Sequence, residues 1–136
     1  MTDHENIEQK KFVFPFDMKL SSDNRWVVMA KLIPWDELEE ENKALFGTKK
    51  NKLGKPFRMA LATLILKQKY EMTNRLLVAL IQENPYLQSL IGLHKFTTII
   101  PFKPLMIGNF EQNIHEEIMD KVNRILIKDT LKKILE

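Results

Sequence analysis

The stretch Phe57–Tyr70, FRMALATLILKQKY, constrains the fold more than any other part of the chain. Its apolar residues Phe57, Met59, Ala60, Leu61, Ala62, Leu64, Ile65 and Leu66 surround nearly the whole circumference of a helix. A helix that is apolar all round has to be buried on every side, so other elements must wrap it. Pro56 stands where proline is favoured, at a helix start. A chain of 136 residues with 44% hydrophobic residues has enough apolar side chain to build one such core. The expected fold is all-α, with about five to seven helices packed around this one.

Flanking segments supply the wrapping helices. Ser21 or Ser22 is placed to cap a helix beginning at Asp23, in which Trp26, Met29, Ala30 and Ile33 recur at helical spacing until Pro34. A second helix spans roughly Trp35–Phe46, with Gly47 placed to end it. After the central helix, Thr73 caps an amphipathic helix with the stripe Leu76, Leu77, Leu80 and Ile81. Asn84-Pro85 opens a short helix that Gly92 closes. The segment HKFTTIIPFKPL reads as a loop, and another short helix is expected near 104–111. Asn113-Ile114-His115-Glu116 has the pattern of a capping box. Beyond it, Ile114, Ile118, Val122 and Ile125 form one stripe, and Ile127, Leu131 and Ile134 a second on the opposite side. Either the helix breaks near Asp129-Thr130, or it is apolar on two faces and meets something outside this chain. Residues 1–20, with KFVFPF around Pro15, read as an extended arm. The organisation is thus an arm over 1–20, a helical domain over 21–112 and a C-terminal helix over 113–136.

Charge is unevenly placed. Residues 47–75 hold eight Lys/Arg against one acid, whereas 1–46 are acidic and 76–136 balanced. The excess peaks in KKNKLGKPFR, just before the central helix. Such a run is a candidate polyanion site, and its plain alternative is a solvated lysine-rich loop. The central helix, a short turn at Glu71-Met72 and the helix from Thr73 also have the order of a helix-turn-helix. In that motif the start of the second helix reaches base edges, and Asn74, Arg75, Val78 and Gln82 fall on its outward side. Arg pairs with guanine, and Asn or Gln with adenine, so Asn74, Arg75 and Gln82 are the expected base readers. Lys49, Lys50, Lys52, Lys55 and Arg58 are the expected DNA-backbone contacts.

Several chemistries find no support. With no cysteine there is no disulfide framework, Cys-type zinc site or thiol nucleophile, which fits a cytoplasmic location. The start MTDHENIEQKK is polar and acidic, unlike a signal peptide, and no run of about 18 apolar residues offers a membrane span. His4, His94 and His115 lack ligand spacing, and DELEEE reads as a solvated helix face. No metal, cofactor or catalytic residue is expected.

The ordered set NRWVVMAKLIPWDELEEENKALFG, a basic linker, PFRMALATLILKQKY, LLVALIQENPYLQSLIGL and PFKPLMIGNF resembles the N-terminal domain of bacterial insertion-sequence transposases of the DDE type, over about residues 10–125. The resemblance implies a helix-turn-helix-like domain that binds the terminal inverted repeats of a mobile element as duplex DNA. In that family a catalytic domain of RNase H-like fold follows, where this sequence stops at Glu136, so no catalysis by this chain is expected. Three positions depart from the family pattern. Glu71 replaces a frequent glycine, Thr73-Asn74-Arg75-Leu76 lacks the acid of a Ser-x-x-Glu opening, and Leu53-Gly54-Lys55-Pro56 replaces Arg-Gly-Arg-Pro. Two other readings fit the same residues: a helical interaction module that pairs with itself or another transposase subunit, and an inert remnant of a transposase.

Overall fold

The computed structural model describes residues 19–47 and 52–135. The expected arm falls almost wholly outside them, as do Lys49 and Lys50. The fold is all-α. Among the described residues seven helices follow in order: α1 Arg25–Leu32, α2 Trp35–Phe46, α3 Phe57–Tyr70, α4 Asn74–Glu83, α5 Pro85–Leu90, α6 Met106–Asn113 and α7 Glu116–Leu135. No strand occurs among those residues.

Helix α3 is the axis of the core. Every residue from Met59 to Leu66 is buried, as is Phe57, and α2, α4 and α6 pack around it. Thr63, the polar member of that run, donates its hydroxyl to the Met59 carbonyl one turn back at 2.7 Å. The all-round apolar pattern therefore produces the enclosure it requires. Helix α1 packs on α5 and α7, and the Trp26 ring reaches Tyr70 at the end of α3, with centroids 5.8 Å apart.

Local chemistry sets most helix ends. The Thr73 hydroxyl accepts from Leu76 N at 3.2 Å, capping α4. Asn84 Oδ1 accepts from Tyr86 N and Leu87 N at 2.9 and 3.3 Å, with Pro85 in the first turn of α5. Gly47 and Gly92 have φ of 60° and 96°, where a side chain is strained, and they follow α2 and α5 as expected.

Two expected caps are corrected. Helix α1 starts at Arg25, and Asn24 caps it through a 2.9 Å bond from Trp26 N, whereas the Ser21 hydroxyl turns to Asp23. Asn113 is the last residue of α6 and does not open a capping box. His115, just before α7, takes that place instead, with Nδ1 accepting from Glu117 N at 3.1 Å. A buried amide organises that corner: Asn42 donates Nδ2 to the Asn113 carbonyl at 3.0 Å and accepts from His115 N at 2.8 Å. Helix α7 runs unbroken through Asp129-Thr130, so it does not break there and is apolar on two faces. Ile118 and Val122 are buried, while Ile127, Leu131 and Ile134 are exposed.

Candidate nucleic-acid interface

The described half of the basic linker is held by its backbone. Asn109 on α6 donates Nδ2 to the carbonyls of Lys52 and Leu53 at 2.9 and 3.0 Å. Lys52 N donates to Asn113 Oδ1 at 3.0 Å. Asn113 in turn donates to the carbonyl and Oδ1 of Asn109, at 2.9 and 3.0 Å. Satisfying the linker through its peptide groups leaves the lysine side chains unused. Lys52 is exposed and Lys55 half-buried, and neither forms an ion pair among the described residues. Gly54 makes the turn toward Pro56 at φ 70°, against Met106 on α6.

Gly108, the residue before Asn109 on α6, faces the start of α4 across a notch. An open notch of about 510 Å³ is lined by Asn74 and Arg75 of α4, by Lys103, Pro104 and Leu105 of the preceding loop, and by Gly108 of α6. One short helix thus holds the basic linker and borders the notch at the first turn of α4. Helices α3 and α4 are connected by Glu71, Met72 and Thr73 alone.

The expected site residues separate on this frame. Arg75 is exposed at the first turn of α4. Asn74 lines the notch, but its Oδ1 is buried without a donor, and adenine recognition requires that oxygen as well as the amide nitrogen. The Gln82 amide donates to the Thr98 carbonyl at 2.5 Å and so fastens a loop. Val78 packs against the core.

Arg58 faces inward. Its Nε and Nη2 donate to the carbonyls of Leu90 and Ser89 at 3.0 and 3.1 Å, closing the C-terminus of α5. Burial pulls this guanidinium below its ordinary pKa. Its place in the run groups Arg58 with the linker lysines, but two residues after Pro56 the chain is helical and has turned toward the core.

The sequence reading leaves Asn109 and Lys103 of this surface unassigned and gives Asn113 to a cap instead. Asn109 and Asn113 lie a helical turn apart, a spacing that presents two amides on one face. Lys103, between two prolines, has no local signal that distinguishes it from any surface lysine. Among the described residues no three His, Asp or Glu side chains gather as metal ligands, and no helix is long and apolar enough to cross a membrane.

Taken together, the surface belongs to an all-α domain whose central helical pair is flanked by basic chain. Residues 14–113 match the transposase domain family (DUF772), and the chain belongs to that family. No curated protein and no solved structure matches it.

Proposed function

We propose that this chain is the DNA-binding domain of an insertion-sequence transposase and that it recognises the terminal repeats of its element as duplex DNA, without carrying catalysis itself. The observation that carries this reading is the shared wall of α6, which holds the basic linker and borders the notch at the first turn of α4. Helices α3 and α4 act as the helix-turn-helix pair. Lys52 and Lys55, with Lys49 and Lys50 of the same linker, hold phosphates, and Arg75 reads a base edge. Membership of a transposase family supports the role.

Fluorescence anisotropy at several salt concentrations tests it, on duplexes carrying the element's ends and on scrambled ones. Replacing the four linker lysines with Ala removes about four phosphate contacts and lowers the log–log salt slope by about 3.6, equally on both duplexes. Arg75→Ala costs about 1–3 kcal/mol on the terminal repeat and little on scrambled DNA. No binding by the parent chain at low salt would sink the reading.

A second reading, an interaction module, is favoured by the exposed Ile127, Leu131, Ile134 and Leu135 on α7. Sedimentation velocity over a range of concentrations tests it. Association that Leu131→Gln abolishes supports it, and a monomer throughout removes self-pairing.

A further inference from the structure

The loop that supplies Lys103 is unusually well fixed for an irregular segment. At its start, Gln88 donates to the Thr97 carbonyl at 2.8 Å and accepts from Thr97 N at 2.9 Å. At its end, Phe102 is buried against Phe110, with ring centroids 5.3 Å apart. Met106 N and Ile107 N then donate to the carbonyls of Lys103 and Pro104 at 2.9 and 3.1 Å. Lys103 therefore projects from a backbone held on both sides, and its side chain is exposed.

Across the notch stands Arg75. No acid lines this space, and neither cation enters an ion pair among the described residues. Two like charges beside one cleft repel, and an anion placed between them relieves the repulsion. Leu105 forms an apolar lip and is 88% exposed. The floor is Gly108, where a built Cβ meets nothing within 4 Å, so the space above the helix backbone is open.

We propose that this notch seats one backbone phosphate of duplex DNA, with Lys103 as its cation and Leu105 against the adjoining sugar. The strand held there is the one whose base edge Arg75 reads. This assignment rests on the DNA-binding reading above. Its position favours a polynucleotide over a small anion, because Asn109, the residue after Gly108, holds the linker that carries Lys52 and Lys55, and a duplex is broad enough to reach both. A phosphate contact positions the duplex without specifying sequence, so Lys103 adds affinity and orientation while Arg75 discriminates.

The test titrates the full chain onto two labelled duplexes of unrelated sequence at rising KCl, with Lys103→Ala, Gly108→Glu and Gly108→Gln beside the parent. Thermal melts confirm that the three variants fold. Lys103→Ala loses one contact, so the parent's fall in affinity over a fourfold rise in salt shrinks about 3.5-fold. Gly108→Glu places a carboxylate in the open notch and weakens binding at low salt at least as much as Lys103→Ala, while Gly108→Gln weakens it far less. Equal losses from Glu and Gln would make bulk the cause and overturn the phosphate assignment. So would a Lys103→Ala effect confined to one duplex sequence. A parent that binds while Lys103→Ala keeps its slope and Gly108→Glu its affinity refutes the notch alone. A parent that fails to bind at low salt refutes the notch and the DNA-binding reading together.

Discussion

The Arg58 guanidinium stands 4.9 Å over the ring of Trp35, the first residue of α2, while its nitrogens close the C-terminus of α5. One side chain on α3 thus ties together two helices that flank it. Gly92 lies against the same side chain, where an added Cβ would stand 3.4 Å from Arg58 Cδ at a φ of 96°. Arg58→Ala removes two charge-assisted bonds and a cation–π contact, and it is expected to cost about 2–3 kcal/mol in urea denaturation. Arg58→Lys recovers less than half, since an ammonium lacks the planar fork. Its salt slope on duplex DNA equals the parent's. A flattened slope would return Arg58 to the phosphate contacts.

Within α3 the cost of truncation should follow enclosure. Leu61 is fully buried, whereas Leu64 borders an open notch between α3, α6 and α7. Both Leu→Ala changes fall in the range of about 2–5 kcal/mol, with Leu61 toward the upper end, because its site is less free to collapse or fill with water. Urea midpoints of the two variants give the order, and a larger loss at Leu64 would contradict it.

Glu71 follows α3 in the left-handed region, with φ 49° and ψ 44°. It is the only non-glycine residue with positive φ among those described. A Cβ there costs about 1–2 kcal/mol, which glycine avoids at some cost in unfolded-state entropy. Glu71→Gly is therefore expected to stabilise the fold by about 1 kcal/mol. Glu71→Ala, which keeps the Cβ, should give no such gain. Thermal melts of the pair separate backbone strain from loss of the carboxylate.

Gln88 is buried with its amide fully used: Nε2 donates to the carbonyls of Ile81, Gln82 and Thr97, and Oε1 accepts from Thr97 N. Gln88→Glu turns three donor contacts into a carboxyl facing three carbonyls. Its folded-state pKa rises above the unfolded value of about 4.3. The folded form then keeps a proton that the unfolded form has released, so stability is greatest below that unfolded pKa and is lost as pH rises through the folded one. The variant should be about 2–4 kcal/mol less stable than the parent at neutral pH, with a smaller deficit near pH 4. Denaturation at the two pH values checks the sign, and a deficit that grows on acidification would refute it.

The sequence was informative wherever a signal is local or periodic. Helix α3 reads directly from its apolar circumference, and α2 from Trp35 and the glycine after Phe46. The Thr73 and Asn84 caps follow from residue type and position alone. The fates of individual polar side chains were not legible, because they depend on partners distant in sequence. Asn42 bonds residues 113 and 115, Asn109 bonds 52 and 53, and Arg58 bonds 89 and 90. Asn113 shows the limit clearly. Its capping-box spacing is genuine, but the linker amide at Lys52 and the end of α6 compete for the same side chain, and they win.

Helix α7 is rooted against α2, where Lys121 pairs with Glu41, and Leu126 is its last residue packed on the core. The nine residues after Leu126, from Ile127 to Leu135, extend about 14 Å at 1.5 Å per residue. One side of that end borders α1, where Asp129, Thr130 and Lys133 share an open notch with Arg25 and Met29, and the rest of it acts as a lever. A swing of about 10° at its root carries the tip through roughly 2 Å. The aim of the exposed Leu131 and Ile134 is therefore set by the seating of α7 on α1 and α2, and a change at Glu41 would move them without touching either.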